Sequence, residues 1–254
     1  MMATERHERI IAELRRRRAV STEDLAVLCD ASGETIRRDL AILEGQGQLQ
    51  RVHGGAARAA ERVGDEASFA ERTAGAAQAK LRIGQRAASL VRPGQTLIID
   101  VGTTALQAAR ALPDDFYGTV ATCSLLVAAE LADRPQIELL VSGGRVRAGD
   151  LACSNAQAVA FFSDLRADIA FLGSGGVDAT AGLTDYHLDE IATRRVMVAN
   201  SGRSYILADA AKLTRVAPHR VCGLDAVAGL VTDGVVAPTL KFAVERTGGL
   251  VINE

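Results

Sequence analysis

The sequence predicts an α/β protein in two parts: a small N-terminal winged helix-turn-helix unit, and behind it an open, mainly parallel α/β sheet. Three observations predict this. Between Val20 and Gly55, two short helical patterns, a tight turn and a glycine-closed hairpin follow one another without a break. From about residue 96 onward, short apolar runs alternate with helical patterns, the rhythm of parallel strands joined by right-handed crossovers. The length of 254 residues exceeds what one small helical unit needs and leaves room for a second core.

The first helix is expected from about Thr4 to Arg18, burying Ile10, Ile11 and Leu14 and ending in the run Arg15 to Arg18. That run complements the helix C-terminal dipole and is equally suited to touching phosphate. A second helix fits Thr22 to Cys29, capped by Ser21 or Thr22, and Asp30, Ala31 and Ser32 make a three-residue turn. Ser32 then caps a third helix. Its apolar residues Ile36, Leu40 and Leu43 recur at i, i+4 and i+7, so one face is buried. Glu34, Arg38 and Ala41 point away from that face, with Thr35 and Arg37 on its flanks. Two helices so joined form a helix-turn-helix, whose second member enters the DNA major groove. Gly45 and Gly47 stop the helix. Gln48 to Gly55 then reads as a strand, a turn and a return strand, a wing that carries Arg51 and His53 toward phosphate or the minor groove. The candidate DNA-binding residues are therefore Ser32, Glu34, Thr35, Arg37, Arg38, Arg51 and His53.

The motif Thr35-Ile36-Arg37-Arg38-Asp39-Leu40, followed by Arg51-Val52-His53-Gly54-Gly55, resembles the N-terminal DNA-binding domain of the DeoR family of bacterial transcriptional regulators. The resemblance runs along most of the chain. It implies double-stranded operator DNA as a partner.

Hydrophobic residues make up 48% and charged residues 24% of the chain, which excludes a disordered tail or a fibre. The first twenty residues have scattered charges and no apolar core of a signal peptide, and no apolar run approaches membrane length. A cytoplasmic location without membrane contact is expected. Cys29, Cys123, Cys153 and Cys222 stand apart without a CxxC spacing, so reduced core thiols are expected rather than a disulfide framework or zinc knuckle. The net charge of −2 hides a slightly basic N-terminal part, with ten arginines against nine acids over residues 1–58. So small an excess requires focused arginines and several modules side by side, because DNA affinity follows the number of phosphates neutralised together. A homo-oligomer, dimer or tetramer, is the expected form.

Residues 1–58 are expected as the DNA-binding domain, 59–75 as a linker with some helix in it, and 76–254 as the sensing and oligomerisation domain. The last opens with a helix over Ala76 to Val91 (Leu81, Ile83, Ala87, Leu90), closed by Pro93-Gly94. Strands are expected at Thr96–Asp100, Thr119–Thr122, Ile137–Val141, Ile169–Leu172, Tyr205–Ala208, Gly229–Val231 and Leu250–Ile252. Helices are expected near Ala105–Ala111, Leu125–Ala132, Ala156–Phe162, Asp189–Asn200 and Leu240–Arg246. In an open sheet of this kind a ligand lies beyond the carboxyl ends of the strands.

The loops at those ends carry the second site. Asp100-Val101-Gly102-Thr103-Thr104 leads straight into a helix, where a glycine, two hydroxyls and a helix N-terminus suit a phosphate. Thr103 and Thr104 fit equally well as simple caps. Thr122 and Ser124 close the second strand, Gly143 and Gly144 the third, Asp178 follows the fourth, and Lys212 follows the fifth.

DeoR-type effector domains look like sugar-phosphate isomerases and carry an Asp-x-Gly-Thr-Thr loop, a Thr-Asn-Ser loop and a Gly-Gly pair. The resemblance assigns Asp100, Gly102, Thr103 and Thr104 to the first, Thr122 and Ser124 to the second, and Gly143 and Gly144 to the third. Glu190 follows Gly182-Leu183-Thr184 as family acids do, and Lys212 sits in the matching Ala-Asp-x-x-Lys run. The implied effector is a phosphorylated sugar or related metabolite. Cys123 stands where the family has an asparagine and Asn155 where a glycine is expected, so the sugar part differs while the phosphate cradle persists.

The implied function is a regulator, a repressor of carbohydrate metabolism genes, released or modulated by that metabolite. The rival is a sugar-phosphate isomerase-like enzyme, because Asp100, Asp178, Glu190 and Lys212 are plausible acid and base groups. No dinucleotide fingerprint, Walker loop or GxSxG elbow is present, and no cofactor is expected. Asp185, His187 and Asp189 alternate in a way that suits a divalent metal on an extended segment, but an isolated histidine is more often a packed residue, and no metal is expected.

Overall fold

The computed structural model describes residues 2–17, 19–45, 48–52, 54–58 and 66–253. They fall into two compact units, Met1–Asp65 and Glu66–Glu254.

The first unit runs α1 (Ala3–Arg17), β1 (Ala19–Ser21), α2 (Thr22–Cys29), α3 (Gly33–Gly45), β2 (Leu49–Val52) and β3 (Gly55–Arg58). Both helix starts follow the sequence. Ser21 Oγ accepts from the Asp24 amide at 3.0 Å, and Ser32 Oγ accepts from the Thr35 amide at 3.2 Å, each satisfying one of the donors a helix N-terminus leaves free. Asp30 ends α2 in the left-handed region at φ 47°. Ile36, Leu40 and Leu43 are buried with Ile10 and Leu14 of α1, Leu25 and Cys29 of α2, and Leu49 of the wing. The wing holds one more strand than expected: β1 pairs antiparallel with β3, giving the order β1-β3-β2. A Cβ on Gly55 would stand 2.2 Å from the Val20 carbonyl, so only glycine lets β3 lie this close to β1.

The second unit begins earlier than the expected boundary. Residues 59–65 of the expected linker lie outside the described residues, but α4 (Phe69–Ala74) belongs to the second unit. Ser68 and Glu71 close a capping box at its start, and at its other end Lys80 Nζ donates to the carbonyls of Arg72 and Gly75, the latter at 2.7 Å. After α5 (Ala77–Ala88) come β4 (Thr96–Ile99), α6 (Thr103–Arg110), β5 (Gly118–Thr122), α7 (Leu125–Leu131) and β6 (Ile137–Val141). Then follow β7 (Arg145–Val146), β8 (Cys153–Ser154), α8 (Ala156–Ser163), β9 (Ala167–Leu172), β10 (Gly176–Asp178), β11 (Gly182–Asp185) and α9 (Leu188–Ala199). The unit ends with β12 (Ser201–Leu207), β13 (His219–Cys222), β14 (Gly229–Val231), α10 (Pro238–Arg246) and β15 (Leu250–Ile252).

The seven expected strands form one parallel sheet in the order β15-β14-β12-β9-β4-β5-β6. Parallel strands are covered on both faces and therefore read as continuous apolar runs, and β4 shows this directly. Ile98 packs with α8, α9 and α10 residues such as Phe162, Ile191 and Leu240. Leu97 and Ile99 pack on the opposite face with Ile83, Ala105 and Val127 of α5, α6 and α7. In α5 the apolar face is shifted from the expectation: Ile83 and Ala87 are buried, Leu81 is exposed, and the stem of Lys80 takes a buried position instead. Two short pieces of this unit were not foreseen, namely the hairpin β7–β8 and the antiparallel sheet β10-β11-β13.

The order decides where a ligand fits. From β4 the chain builds outward through β5 and β6, then returns to the other side of β4 with β9. The reversal leaves a crevice between the loops that follow β4 and β9, the place where open sheets of this type hold ligands.

Candidate functional site

In the first unit α3 exposes Glu34, Arg37, Arg38 and Ala41 as expected, leaves Thr35 half-buried, and exposes Ile42 and Glu44 as well. Arg37 and Arg38 have side chains 60% and 79% exposed. Arg37 Nη1 lies 3.2 Å from Glu34 Oε2, a solvent-facing pair that contributes little and is readily exchanged for a phosphate or a base edge. Thr35 Oγ1 lies 2.9 Å from Ser32 Oγ, so both hydroxyls stay at the helix start. Arg51 is exposed on the wing, and its amide donates to Glu44 Oε1 of α3 at 2.9 Å, fixing the wing's base to the helix. His53 lies outside the described residues.

Between the two arginines and the core stands Asp39, 4% exposed. It receives Arg6 Nε at 2.5 Å and Nη2 at 3.1 Å, with His7 Nε2 at 2.8 Å from the same carboxylate. Burial pushes the Asp39 carboxyl up, but the hydrogen bonds from Arg6 and His7 outweigh it and hold the group below its ordinary value. This clamp between α1 and α3 was not read from the sequence.

In the second unit the crevice at the strand reversal is a polar cleft. Gly102, Thr103 and Thr104 line it from the start of α6. Gly102 has φ 131° and offers no side chain to cap the helix, and neither threonine hydroxyl has a hydrogen-bond partner among the described residues. The first turn therefore presents free donors and the positive end of the helix dipole. Lys212 and Glu190 also line the cleft. The Lys212 ammonium lies 6.0 Å from the Tyr186 ring centre and has no ion-pair partner among the described residues. Burial, aided by Arg215, lowers its pKa.

Asp100 stands behind the cleft rather than in it. Its Oδ2 accepts from the Gly173 amide at 2.9 Å and from Arg194 Nε at 2.5 Å, joining the loops after β4 and β9. Thr122, Ser124, Gly143, Gly144 and Asp178 do not line the cleft either, because their polar groups and backbones serve the loops themselves. Thr122 Oγ1 accepts from the Ser124 amide, and Ser124 Oγ caps α7 through the Val127 amide. A Cβ on Gly144 would meet the Ser154 carbonyl at 2.6 Å. The Asp178 carboxylate takes the amides of Thr180 and Ala181, which hold its pKa low. Asp185, His187 and Asp189 do not converge: Asp185 pairs with Arg194, His187 with Glu66, and Asp189 is exposed. Among the described residues no group of His, Cys, Asp and Glu is placed to hold a metal.

The centre of the cleft is a residue the sequence did not announce. Arg194, 3% exposed, pairs with Asp100 at 2.5 Å, Asp185 at 2.6 Å and Glu190 at 3.0 Å. Burial opposes its charge, but the three carboxylates outweigh that and keep it protonated. Glu190 also pairs with Arg147, yet its own burial raises its pKa. The spacing of four between Glu190 and Arg194 on α9 is that of an ordinary helix-surface pair, so nothing in it marks both residues as buried.

The two departures from the resembling pattern have different fates. Asn155 takes φ 98° and ψ −172°, a backbone state that glycine adopts freely, so the position keeps the geometry of the expected glycine. The Cys123 thiol donates toward Asp100 Oδ1 at 3.5 Å, and burial followed by the nearby Asp100 carboxylate raises its pKa well above the usual thiol range.

Residues 6–62 match the DeoR-like helix-turn-helix domain, and residues 76–234 match the DeoR C terminal sensor domain. The chain belongs to the DeoR family. Its relatives in that family include the glycerol-3-phosphate regulon repressor of Escherichia coli (strain K12), 32% identical over 233 residues that cover 92% of each chain. The HTH-type transcriptional repressor CsqR of the same organism is 30% identical over 236 residues, covering 93% of this chain and 90% of that one. Among solved structures, ribose 5-phosphate isomerase A from Methanocaldococcus jannaschii aligns with a TM-score of 0.41 at 18% identity, over 55% of this chain and 56% of that one. As a DeoR-family member the chain is a transcriptional regulator, with a DNA-reading unit followed by a sensor unit. Among its described residues no helix is long and apolar enough to cross a membrane.

Proposed function

We propose that this DeoR-family regulator represses promoters of carbohydrate metabolism genes in the cytoplasm, as a dimer or tetramer on double-stranded operator DNA, and that a phosphorylated sugar in the cleft releases it. The observation that carries the reading is the α3 face bearing Arg37 and Arg38, exposed while the opposite face is fully buried, in a chain that also holds a DeoR sensor domain. Arg37, Arg38 and Arg51 are the residues proposed to meet the duplex, with residues 1–58 as the reading part. A symmetric assembly supplies the second half-site that a single winged unit cannot reach.

On the sensor side, the proposed cradle is the start of α6 with Lys212 opposite. Free amides, two threonine hydroxyls and a cation without an ion-pair partner among the described residues suit one phosphate. Of the other cations of the cleft, Arg194 is held by three carboxylates and Lys80 by two carbonyls, while Arg72 is shared between Glu66 at 2.7 Å and Asp150 at 3.5 Å. The names of the relatives as repressors, one of a glycerol-3-phosphate regulon, support the same assignment. Binding rather than turnover is favoured because the carboxylates of Asp100, Asp185 and Glu190 are each already engaged by Arg194.

The test is a fluorescence titration of promoter duplex in the presence of hexose monophosphates, glycerol 3-phosphate and the matching unphosphorylated sugars. Release by a phosphorylated compound and by none of the free sugars is expected; indifference of the complex to all of them contradicts the sensor reading. Formation of a new isomer from any of these sugar phosphates, read by NMR, would favour the enzyme instead.

A further inference from the structure

Residues 63–75 lie between the two family matches, yet two of them reach the cleft. Glu66 and Arg72 line it beside Thr103, Asp150 and Lys212. Arg72 Nη1 holds Glu66 Oε1 at 2.7 Å, and its Nη2 stands 3.5 Å from Asp150 Oδ2. Its Nε is buried without a hydrogen-bond partner. The guanidinium thus enters the cleft with one firm ion pair, one loose one and one donor to spare.

These pairs continue as a chain of alternating charge. Asp150 pairs with Arg147, Arg147 with Glu190, Glu190 with Arg194, and Arg194 with Asp100 at the end of the central strand. At the other end, Glu66 Oε2 also meets His187 Nε2 at 3.0 Å. Glu66 is the first residue of the second unit, so the chain of pairs joins the end of β4 to the point where that unit begins.

Resting on the reading of the cleft as a sugar-phosphate sensor, we propose that Arg72 is a ligand of the effector's anion and the group that reports occupancy. A phosphate seated at the start of α6 offers Arg72 a bidentate partner carrying more charge than a carboxylate. Arg72 then exchanges Glu66 for the phosphate. Glu66, left with His187 alone, no longer holds the first residues of the unit against the cleft. The exchange acts on Glu66 and the residues before α4 rather than on α4 itself, because Lys80 of α5 ties the end of α4 to α5. Ligand can act on DNA only through such a difference in contacts between two states.

The experiment uses full-length protein on promoter duplex, with the hexose monophosphate or glycerol 3-phosphate that most raises the parent's melting temperature. Arg72→Ala breaks the pair with Glu66 and removes the anion's ligand together, so it is expected to bind the duplex more weakly than the parent before any compound is added, and to need at least about tenfold more of that compound for half of the parent's rise in melting temperature. Glu66→Gln, which keeps the shape and drops the charge, is expected to need about two- to fivefold less. Should Arg72→Ala fail to fold, Arg72→Lys keeps the charge, loses the fork and is expected to shift in the same direction. Half of the parent's rise in both the Arg72 variant and Glu66→Gln at the parent's concentration overturns the role of Arg72 while leaving the sensor reading intact. A parent that none of these phosphates stabilises or releases removes the sensor reading itself.

Discussion

Asp39 lies one residue beyond the exposed Arg37–Arg38 pair and is clamped by Arg6 of α1, with Nε to Oδ2 at 2.5 Å. The same turn of α3 thus presents its arginines outward and anchors its backbone inward. A recognition helix that reads bases must be held to within a fraction of a bond length, and here a buried, hydrogen-bonded ion pair does the holding.

Replacing Asp39 by Ala removes the buried carboxylate that Arg6 and His7 share. The N-terminal unit is expected to lose about 1–3 kcal/mol, the typical penalty for losing hydrogen bonds to a buried charged group. Duplex affinity should fall with it, because the helix is no longer positioned. Chemical denaturation followed by a probe in the N-terminal unit measures the first effect, and a variant as stable as the parent would contradict the clamp.

The same pair has a pH signature. The folded-state pKa of Asp39 is depressed, so its contribution is present above the ordinary carboxylate value, near pH 4, and is lost as pH falls through the lower folded value. Acid unfolding of the N-terminal unit below about pH 4 should therefore be shallower in Asp39→Asn than in the parent. Identical acid transitions would show that Asp39 contributes no such linkage.

Gly84 gives a packing prediction. It lies in the middle of α5, where alanine usually gains about 0.5–1 kcal/mol, but a Cβ there would stand 2.5 Å from the Gln107 carbonyl group of α6. Contact with backbone cannot be relieved by a rotamer change. Gly84→Ala is expected to destabilise by about 1–3 kcal/mol, read as a lower melting temperature of the second unit; a neutral or stabilising effect would mean that the α5–α6 crossing yields easily.

Asn155 offers the opposite case. Its backbone conformation at φ 98° costs a non-glycine residue about 1–3 kcal/mol, while its side chain caps α8 by accepting from the Gln157 amide at 2.9 Å. Glycine at an N-cap gives up only a few tenths of a kcal/mol, so Asn155→Gly should raise the melting temperature and Asn155→Ala should lower it. Equal shifts for the two variants would count against strain at this position.

The large sheet was legible because its strands are parallel and buried on both faces, which makes each an uninterrupted apolar run. The strands β1, β7, β8, β10, β11 and β13 were not, since two to four residues carry no period and their pairing is set by tertiary contact alone. The caps of α2 and α3 were readable as Ser21 and Ser32 because capping is local chemistry. In the cleft, Gly102, Thr103, Thr104 and Lys212 were legible as residues at strand ends, and Glu190 of α9 through the family resemblance. Arg194 and Arg72 were not: one sits on a helix where an i, i+4 ion pair normally faces solvent, and the other lies in a charge-rich stretch with no apolar stripe. Their roles follow from burial, which a charged residue's identity does not disclose.

The phosphate cradle is tested by Lys212→Ala and Thr103→Val. Each should leave duplex binding unchanged and weaken the response to the sugar phosphate, by about 1.5–3 kcal/mol for the charged group, roughly 10- to 150-fold. Parental responsiveness in both would move the anion elsewhere.

The most direct measurement is duplex binding by the double variant Arg37→Ala, Arg38→Ala, compared with the parent on promoter DNA and on a scrambled duplex of equal length. The account predicts that the variant melts within about 0.5 kcal/mol of the parent, as exposed substitutions do, and binds both duplexes equally weakly. A variant that still prefers the promoter sequence over the scrambled one by the parent's margin would contradict it.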